Sequence, residues 1–263
     1  DVPRLQQTPG VRVIEGFEQR IVFIGMDQGR DELLYSNVKG KNPFKDKRVR
    51  AALYHAVDID AIQKATMRGL SKPSGAMTPS PVQTTAEIEK RFAHDPALSK
   101  KLLAEAGYPN GRDAKTGKPL VINYDVYYPA TPERKPEIDW MVRQFAKIDI
   151  QVEVRATDNN QFQDKVRKNK HQVFWLGWNA DYPDAENFLF LLYGPNAKSV
   201  SDGENTANYQ NPEYDKLFSQ LKTMDDGPQK QAVIDQMVKT LQEDAPWSMG
   251  FYPWASTAVQ GWV

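Results

Sequence analysis

The sequence predicts an α/β fold in which helices flank a mixed β-sheet. Between residues 120 and 178, runs rich in β-branched and aromatic residues alternate with segments whose apolar residues recur at helical spacing. This alternation is typical of parallel strands joined by right-handed crossovers. The chain has 263 residues, of which 40% are apolar, so it is long enough to bury the core of one large domain or two small ones.

The first 107 residues show clear helix boundaries. Asp46 is predicted to cap the first helix, because aspartate accepts hydrogen bonds from free N–H groups at a helix start. Asp95 followed by Pro96 begins another helix, and Gly107 ends it. The predicted elements in this part are strands at residues 11–14 and 20–24, helices at residues 47–57, from Asp58 or Asp60 to Gly69, and from Asp95 to Gly107, and an irregular stretch at residues 71–90.

The remaining chain continues the alternation and ends in an aromatic segment. Ile150, Val152 and Val154 alternate with polar residues, as expected of a half-buried strand. The predicted elements are strands at residues 120–126, 150–154 and 172–178, helices at residues 138–145 and 162–166, a helix capped by Asn211, a helix around residues 234–241 that ends before Pro246, and a strand-like tail at residues 247–263.

Composition excludes several classes of function. Lys plus Arg and Asp plus Glu each number 34, so the formal net charge is zero and a nucleic-acid partner is not expected. The chain has no cysteine, which excludes disulfides and thiolate ligands. His55, His94 and His171 are not spaced as metal ligands, and no nucleotide-binding or serine-hydrolase motif is present. We therefore expect no metal, no cofactor and no enzymatic activity.

The segment at residues 177–184 is the best candidate for a ligand site. It directly follows the most apolar predicted strand, and ligands of open α/β sheets collect at the carboxyl ends of strands. Its aromatic residues beside an acid suit an apolar ligand with a cationic head. The alternative is that Trp175 and Trp178 are core residues and that Asp181 and Asp184 only form a turn. The residues alone leave both interpretations open.

Four motifs, in order along the chain, resemble those of family 5 extracellular solute-binding proteins, the oligopeptide, dipeptide and nickel receptors of ABC importers. The four stretches are residues 42–53 (NPFKDKRVRAAL, followed by Ala56-Val57-Asp58), Asp95-Pro96 with residues 101–108 (KLLAEAGY), residues 177–182 (GWNADY), and Asn208-Tyr209 with Asn211-Pro212. Their order and spread over most of the chain make the resemblance specific.

The resemblance implies one lobe of a type II periplasmic-binding-protein fold. Family members are bilobed receptors about twice this length that close on a ligand like a hinge. Residues 1–263 would be the C-terminal ligand-binding lobe, with the N-terminal lobe outside this chain. The implied function is to capture a peptide or related small solute between the lobes and deliver it to an inner-membrane ABC permease. The implied location is periplasmic or extracellular, with a lipid anchor in a Gram-positive cell.

The resemblance also assigns ligand-binding residues. The residue matching Asp181 receives the α-ammonium group in peptide-binding relatives, and Trp178 would be a wall of the cleft, with Asn179 and Tyr182 in the same segment. Trp175 is included in this set, although it stands where some oligopeptide receptors carry an arginine that meets a ligand carboxylate. A sugar, an opine or a nickel complex therefore remains an alternative ligand, and a solute-sensing domain of a transcription regulator remains an alternative function.

Overall fold

The computed structural model describes residues 2–61, 71–73, 78 and 93–260. Within them, seven strands form a mixed sheet in the order β1-β7-β2-β6-β4-β5, with β3 paired to β7. The strands are β1 Val11–Phe17, β2 Arg20–Met26, β3 Ser71–Pro73, β4 Val121–Val126, β5 Gln151–Ala156, β6 Val173–Asn179 and β7 Trp247–Gln260. β4 runs parallel to both β5 and β6, whereas β2 is antiparallel to β6 and β7.

Helices cover both faces of the sheet. They are α1 Val2–Gln6, α2 Lys47–Ala56, α3 Pro96–Glu105, α4 Lys135–Ala146, α5 Asn159–Arg167, α6 Glu186–Leu189, α7 Lys198–Ser201, α8 Pro212–Leu221 and α9 Pro228–Asp244. The buried apolar side chains of α2, α3 and α4 form one core, and those of α5, α6, α8 and α9 form the other. This confirms the predicted α/β fold with a mixed sheet between helices.

The alternation of side chains along β6 connects the two cores. Phe174 packs into the core of α5, α6, α8 and α9, and Trp175 packs into the core of α2, α3 and α4. Successive side chains of a strand point to opposite faces, so Val173, Phe174 and Trp175 are each buried against one of the two helix layers. The continuous apolar run that predicted this strand follows from burial on both sides.

The motif at residues 42–53 has a structural role. Asn42 and Asp46 each accept a hydrogen bond from the backbone two residues further on, which caps the 3₁₀ turn Pro43–Lys45 and helix α2. Arg50 is buried, and its guanidinium donates to the carbonyl oxygens of Phe44 at 2.7 Å and of Asp244 at 2.5 and 3.0 Å. Arg50 thereby joins α2 to the end of α9, where free carbonyl groups need donors.

Strand β7 pairs with three strands along its length, one of which is the short β3. Its first residues pair with β2, and its last seven, from Trp254 to Gln260, pair with β1 in an antiparallel ribbon. Val11 lies opposite Gln260, so the first residue of β1 and the last residue of β7 lie side by side. Ile14 and Phe17 of this ribbon remain exposed.

Some predicted elements differ from the structure. The stretch at residues 71–90 was predicted to be irregular, but Ser71–Pro73 is a strand because it can pair with β7; the rest lies outside the described residues, apart from residue 78. Residues 59–61 are helical, and the remainder of the helix predicted to Gly69 is likewise not described. The short helices α1, α6 and α7 were not predicted, because four or five residues show no helical period.

Candidate functional site

The candidate site lies at the edge of the sheet where β4, β5 and β6 end. These three strands are parallel, so their carboxyl ends meet at one edge. β2 begins at the same edge, because Arg20 pairs with Asn179. The segment at residues 177–184 therefore lies where the loops after three strands converge, which is the usual place for a ligand on such a sheet. We call this edge of the sheet, where β4, β5 and β6 end and residues 177–184 lie, the ligand edge.

Four of the five predicted site residues lie together on the surface of this edge. Asn179 and Asp181 are exposed, Tyr182 is 45% exposed, and Trp178 is half-buried. The ring of Trp178 packs edge-on against Phe190, with 5.4 Å between ring centroids. The ligand edge thus presents a carboxylate, an amide and two aromatic side chains to solvent.

Trp175 lies apart from the other four. It is only 4% exposed and packs against Phe251, with 5.8 Å between ring centroids, in the core formed by α2, α3 and α4. Its burial in this core follows from strand alternation. Trp175 and Trp178 are three positions apart on β6, so their side chains point to opposite faces of the sheet. A ligand at the surface of the ligand edge would not touch Trp175.

Asn187 holds Asp181 and Trp178 in place. Its Oδ1 accepts hydrogen bonds from the backbone N–H of Asp181 at 2.9 Å and from Nε1 of Trp178 at 3.1 Å, and its Nδ2 donates to Oδ2 of Asp181 at 3.3 Å. Asn187 is 3% exposed, in the short helix α6. Asn187 is not predictable from the sequence, because one asparagine in an apolar segment belongs to no periodic pattern or motif.

The carboxylate of Asp184 is held by hydrogen bonds to neighbouring elements of the fold. Its Oδ2 accepts from Nζ of Lys230 at 2.5 Å, its Oδ1 accepts from the backbone N–H of Glu186, and Lys230 also bonds Asp226 at 2.9 Å. Tyr182 donates its hydroxyl to Glu186. Partial burial and this hydrogen bond raise the pKa of Tyr182. Asp184 therefore anchors the start of α9 to the turn, whereas the Asp181 carboxylate stays exposed beside it.

Two tyrosines after β4 add aromatic surface to the ligand edge. Tyr127 and Tyr128 contact each other edge-on, with 5.5 Å between ring centroids, and the guanidinium of Arg134 lies 5.0 Å from the centre of the Tyr128 ring. Tyr127 and Tyr128 were not among the predicted site residues, because two tyrosines after a strand form no recognisable motif. Their place beside β6 depends on strand order, which local sequence does not specify.

Two open surface depressions lie at opposite edges of the sheet. One, of about 380 Å³, lies beside the ligand edge and is lined by Tyr182, Asp184, Glu186, Leu221, Lys222, Met224 and Lys230. The other, of about 410 Å³, lies at the opposite edge of the sheet and includes Lys45, Lys47, Arg50 and Asp244. Only the first shares residues with the candidate site.

Two further findings concern only the described part of the chain. It contains no group of three or more His, Asp or Glu side chains arranged to hold a metal ion. No helix within it is long and apolar enough to span a membrane.

The structure is an α/β domain whose three parallel strands end at an exposed polar and aromatic edge. The model of the family "Bacterial extracellular solute-binding proteins, family 5 Middle" matches residues 1–200. The chain belongs to family 5 of the bacterial extracellular solute-binding proteins. This is the family that the four motifs resemble.

Curated and solved relatives agree with this assignment. Heme-binding protein A of Haemophilus influenzae is 25% identical over 100% of this chain and 45% of its own length. The dipeptide-binding protein of Escherichia coli is 24% identical over 94% of this chain and 43% of its own length. The periplasmic binding protein DppA of Helicobacter pylori, solved with the peptide STSA, has a TM-score of 0.82 at 21% identity, over 99% of this chain and 46% of its own. This chain therefore spans slightly less than half of each relative.

Proposed function

We propose that this chain is the C-terminal lobe of a bilobed substrate-binding protein of an ABC importer. It captures a peptide or a related small solute at the ligand edge, against an N-terminal lobe outside these 263 residues, and delivers it to an inner-membrane permease. The observation that carries the proposal is the exposed Asp181 carboxylate, held by Asn187 beside the half-buried Trp178. Relatives named for dipeptide binding or solved with a peptide support the solute class.

Asp181 suits a ligand with an ammonium group. A carboxylate in water attracts a cation weakly, but closure of a second lobe over the ligand edge would remove water and strengthen the attraction several-fold. A ligand without the ammonium group would leave the carboxylate buried and unpaired, which is costly. Trp178 adds an apolar wall to the same space. Affinity and selection for a free amine would then come from one residue.

The ribbon of β1 and the end of β7 supports the two-lobe arrangement. Two antiparallel strands whose ends, Val11 and Gln260, lie side by side can connect to a second lobe and flex as a hinge. Ile14 and Phe17 are exposed on this ribbon and point to its two opposite faces. On this proposal they contact the second lobe.

The location of the protein would be periplasmic or extracellular, with a lipid anchor in a Gram-positive cell.

A thermal-shift screen of the full-length protein that contains this chain tests the proposal. The panel holds dipeptides to pentapeptides, neutral sugars, opines, haem and nickel, applied to the wild type, to Asp181→Asn and to Asp164→Asn. Asp164 is the matched control, because it is an exposed aspartate on α5 whose carboxylate pairs with Lys168 at 2.7 Å. A peptide-induced shift that is lost in Asp181→Asn and kept in Asp164→Asn supports the proposal. Stabilisation by a sugar or by nickel alone would reject the peptide assignment.

A further inference from the structure

The depression of about 410 Å³ at the opposite edge of the sheet joins two of the four sequence motifs. Part of its lining comes from the motif at residues 42–53, and part comes from the motif at residues 208–212. Neither motif lies at the ligand edge, so the proposed function leaves both without a role in binding. The volume of the depression is within the range of small-molecule sites. We call it the basic depression, and its lining includes Lys45, Lys47, Arg50, Asn208, Tyr209 and Asp244.

Arg50 brings a buried positive charge to the basic depression. It is 5% exposed. Within the described part of the chain, its guanidinium donates to backbone carbonyl oxygens alone, which are those of Phe44, Lys45, Asp244 and Ala245. Carbonyl groups satisfy N–H donors but carry no net charge. Burial lowers the pKa of Arg50 to about 10, which leaves it charged at neutral pH. The charge of Arg50 is therefore available to attract an anion.

Asp244 is the one carboxylate among the described residues of this lining, and it is already engaged. Its Oδ2 accepts from the hydroxyl of Tyr209 at 2.6 Å and from Nδ2 of Asn211 at 3.0 Å. Its Oδ1 lies 3.8 Å from Nζ of Lys47. Because one carboxylate faces three cationic side chains, the described lining has an excess of two positive charges.

Lys45 and Lys47 can turn toward a bound anion. Their side chains are 46% and 62% exposed. Nζ of Lys45 lies 2.5 Å from a carboxylate oxygen of Asp31, but the side chain of Asp31 is fully exposed, and exposed pairs of this kind contribute little. Asp46 lies between the two lysines in the sequence, and its carboxylate is held by the guanidinium of Arg48 at 2.6 Å. An anion in the basic depression would therefore compete only with Asp31 and Asp244 for these lysines.

A further acid, Asp27, lies behind the lining and is already paired. It is completely buried, and its Oδ1 accepts from Nδ2 of Asn208 at 2.7 Å and from the backbone N–H of Gly29 at 3.1 Å. Its Oδ2 lies 3.4 Å from Nε of Arg30. Because the charge of Arg30 balances that of Asp27, the excess of positive charge in the basic depression remains.

We propose that the basic depression binds a dianionic phosphate group, either as inorganic phosphate or as part of a small phosphomonoester. A phosphate monoester carries close to two negative charges at neutral pH, which matches the excess in the lining. The ammonium groups of Lys45 and Lys47 donate charge-assisted hydrogen bonds to its oxygens, and the fixed guanidinium of Arg50 adds electrostatic attraction. The site uses no residue of the ligand edge, so it goes beyond the proposed function and is independent of it.

Calorimetric titration of the full-length protein with inorganic phosphate and with glycerol 3-phosphate, at constant ionic strength, tests this site. Glycerol is the uncharged probe, and we expect it not to bind. Lys45→Gln and Lys47→Gln should each weaken phosphate binding about tenfold, since each variant loses a charge-assisted hydrogen bond. Lys39→Gln is the matched control, because Lys39 is an exposed lysine that pairs with Glu32 at 3.3 Å and lies outside the lining.

Weaker phosphate binding in both Lys45→Gln and Lys47→Gln, with wild-type affinity in Lys39→Gln, supports the inference. Tighter binding of glycerol 3-phosphate then assigns a phosphomonoester as the ligand, and tighter binding of inorganic phosphate assigns the free ion. Absence of phosphate binding in the wild type would overturn the inference, as would equal affinities in the wild type and the two variants. An equal loss in Lys39→Gln would show attraction to general surface charge and would also reject the site.

Discussion

Asn187 and Asp181 are joined by two hydrogen bonds, one to the backbone of Asp181 and one to its carboxylate, at 2.9 and 3.3 Å. The same amide oxygen accepts from the indole of Trp178, so one buried side chain fixes the acid and the aromatic wall together. A binding residue gains affinity when it is held in its bound position before the ligand arrives. Asn187 is therefore a positioning residue on the proposed function.

Replacement of Asn187 by leucine should affect both ligand binding and folding. It leaves two N–H groups without their acceptor, so we expect the free energy of unfolding to fall by about 1–3 kcal/mol and peptide affinity to fall about tenfold. Denaturant titration and calorimetry measure the two effects. Leu189→Ala, in the buried side of the same helix, should reduce stability without a matching loss of affinity per folded molecule. Equal effects of both variants on affinity would contradict the positioning role.

Gly25 in β2 has a packing role. A Cβ atom there would lie 2.1 Å from the ring of Phe174, so Gly25→Ala must displace a buried ring. We expect the free energy of unfolding to fall by about 1–3 kcal/mol, as in other overpacked cores. Gly16 in β1 is the control, because a Cβ atom there meets no atom within 4 Å. Chemical denaturation that found equal stabilities for Gly25→Ala and Gly16→Ala would refute this explanation.

Arg50 should be important for stability. Arg50→Met removes donors from the carbonyl oxygens of Phe44 and Asp244, and we expect it to lower the free energy of unfolding by about 2–3 kcal/mol. Arg48→Met, two residues earlier, removes an exposed pair with Asp46 and should cost less than about 1 kcal/mol. Urea titration of both variants measures the difference. Equal decreases in the free energy of unfolding would show that the buried Arg50 contributes no more to stability than the exposed Arg48.

His171 should make stability depend on pH. It is fully buried, one ring nitrogen lies 2.7 Å from the carbonyl oxygen of Thr206, and burial lowers its pKa. The unfolded chain then binds a proton more readily than the folded one, so stability falls as pH drops below the unfolded value of about 6.5. In His171→Gln, the free energy of unfolding should depend less on pH between pH 7 and 5, as measured by denaturant titration at each pH. A slope that survives in His171→Gln must come from other groups.

Sequence patterns predicted the fold well where burial is regular. The alternation of Ile150, Val152 and Val154 and the caps Asp46, Asp95 and Asn211 reappear as β5 and as the starts of α2, α3 and α8. Helical spacing and capping are local properties, so the sequence displays them directly. The three-residue strand β3 depends on pairing with β7, some 180 residues away, and no local pattern displays that.

The candidate site was predictable only in part. Asp181, Asn179, Tyr182 and Trp178 follow directly from a strand end, so their shared surface was predictable. Asn187 reaches the same place from α6, and its role depends on a buried hydrogen bond that local sequence does not display. Trp175 was grouped with the site by sequence proximity, although strand alternation turns it into the core.

The most direct test of the central claim is the affinity of the full-length protein for trialanine compared with N-acetyl-trialanine, measured by calorimetry in the wild type and in Asp181→Asn. The account predicts that acetylation weakens binding at least tenfold in the wild type, and that Asp181→Asn binds both peptides equally weakly. Equal affinity of the wild type for the two peptides would contradict the role of Asp181 as the ammonium site.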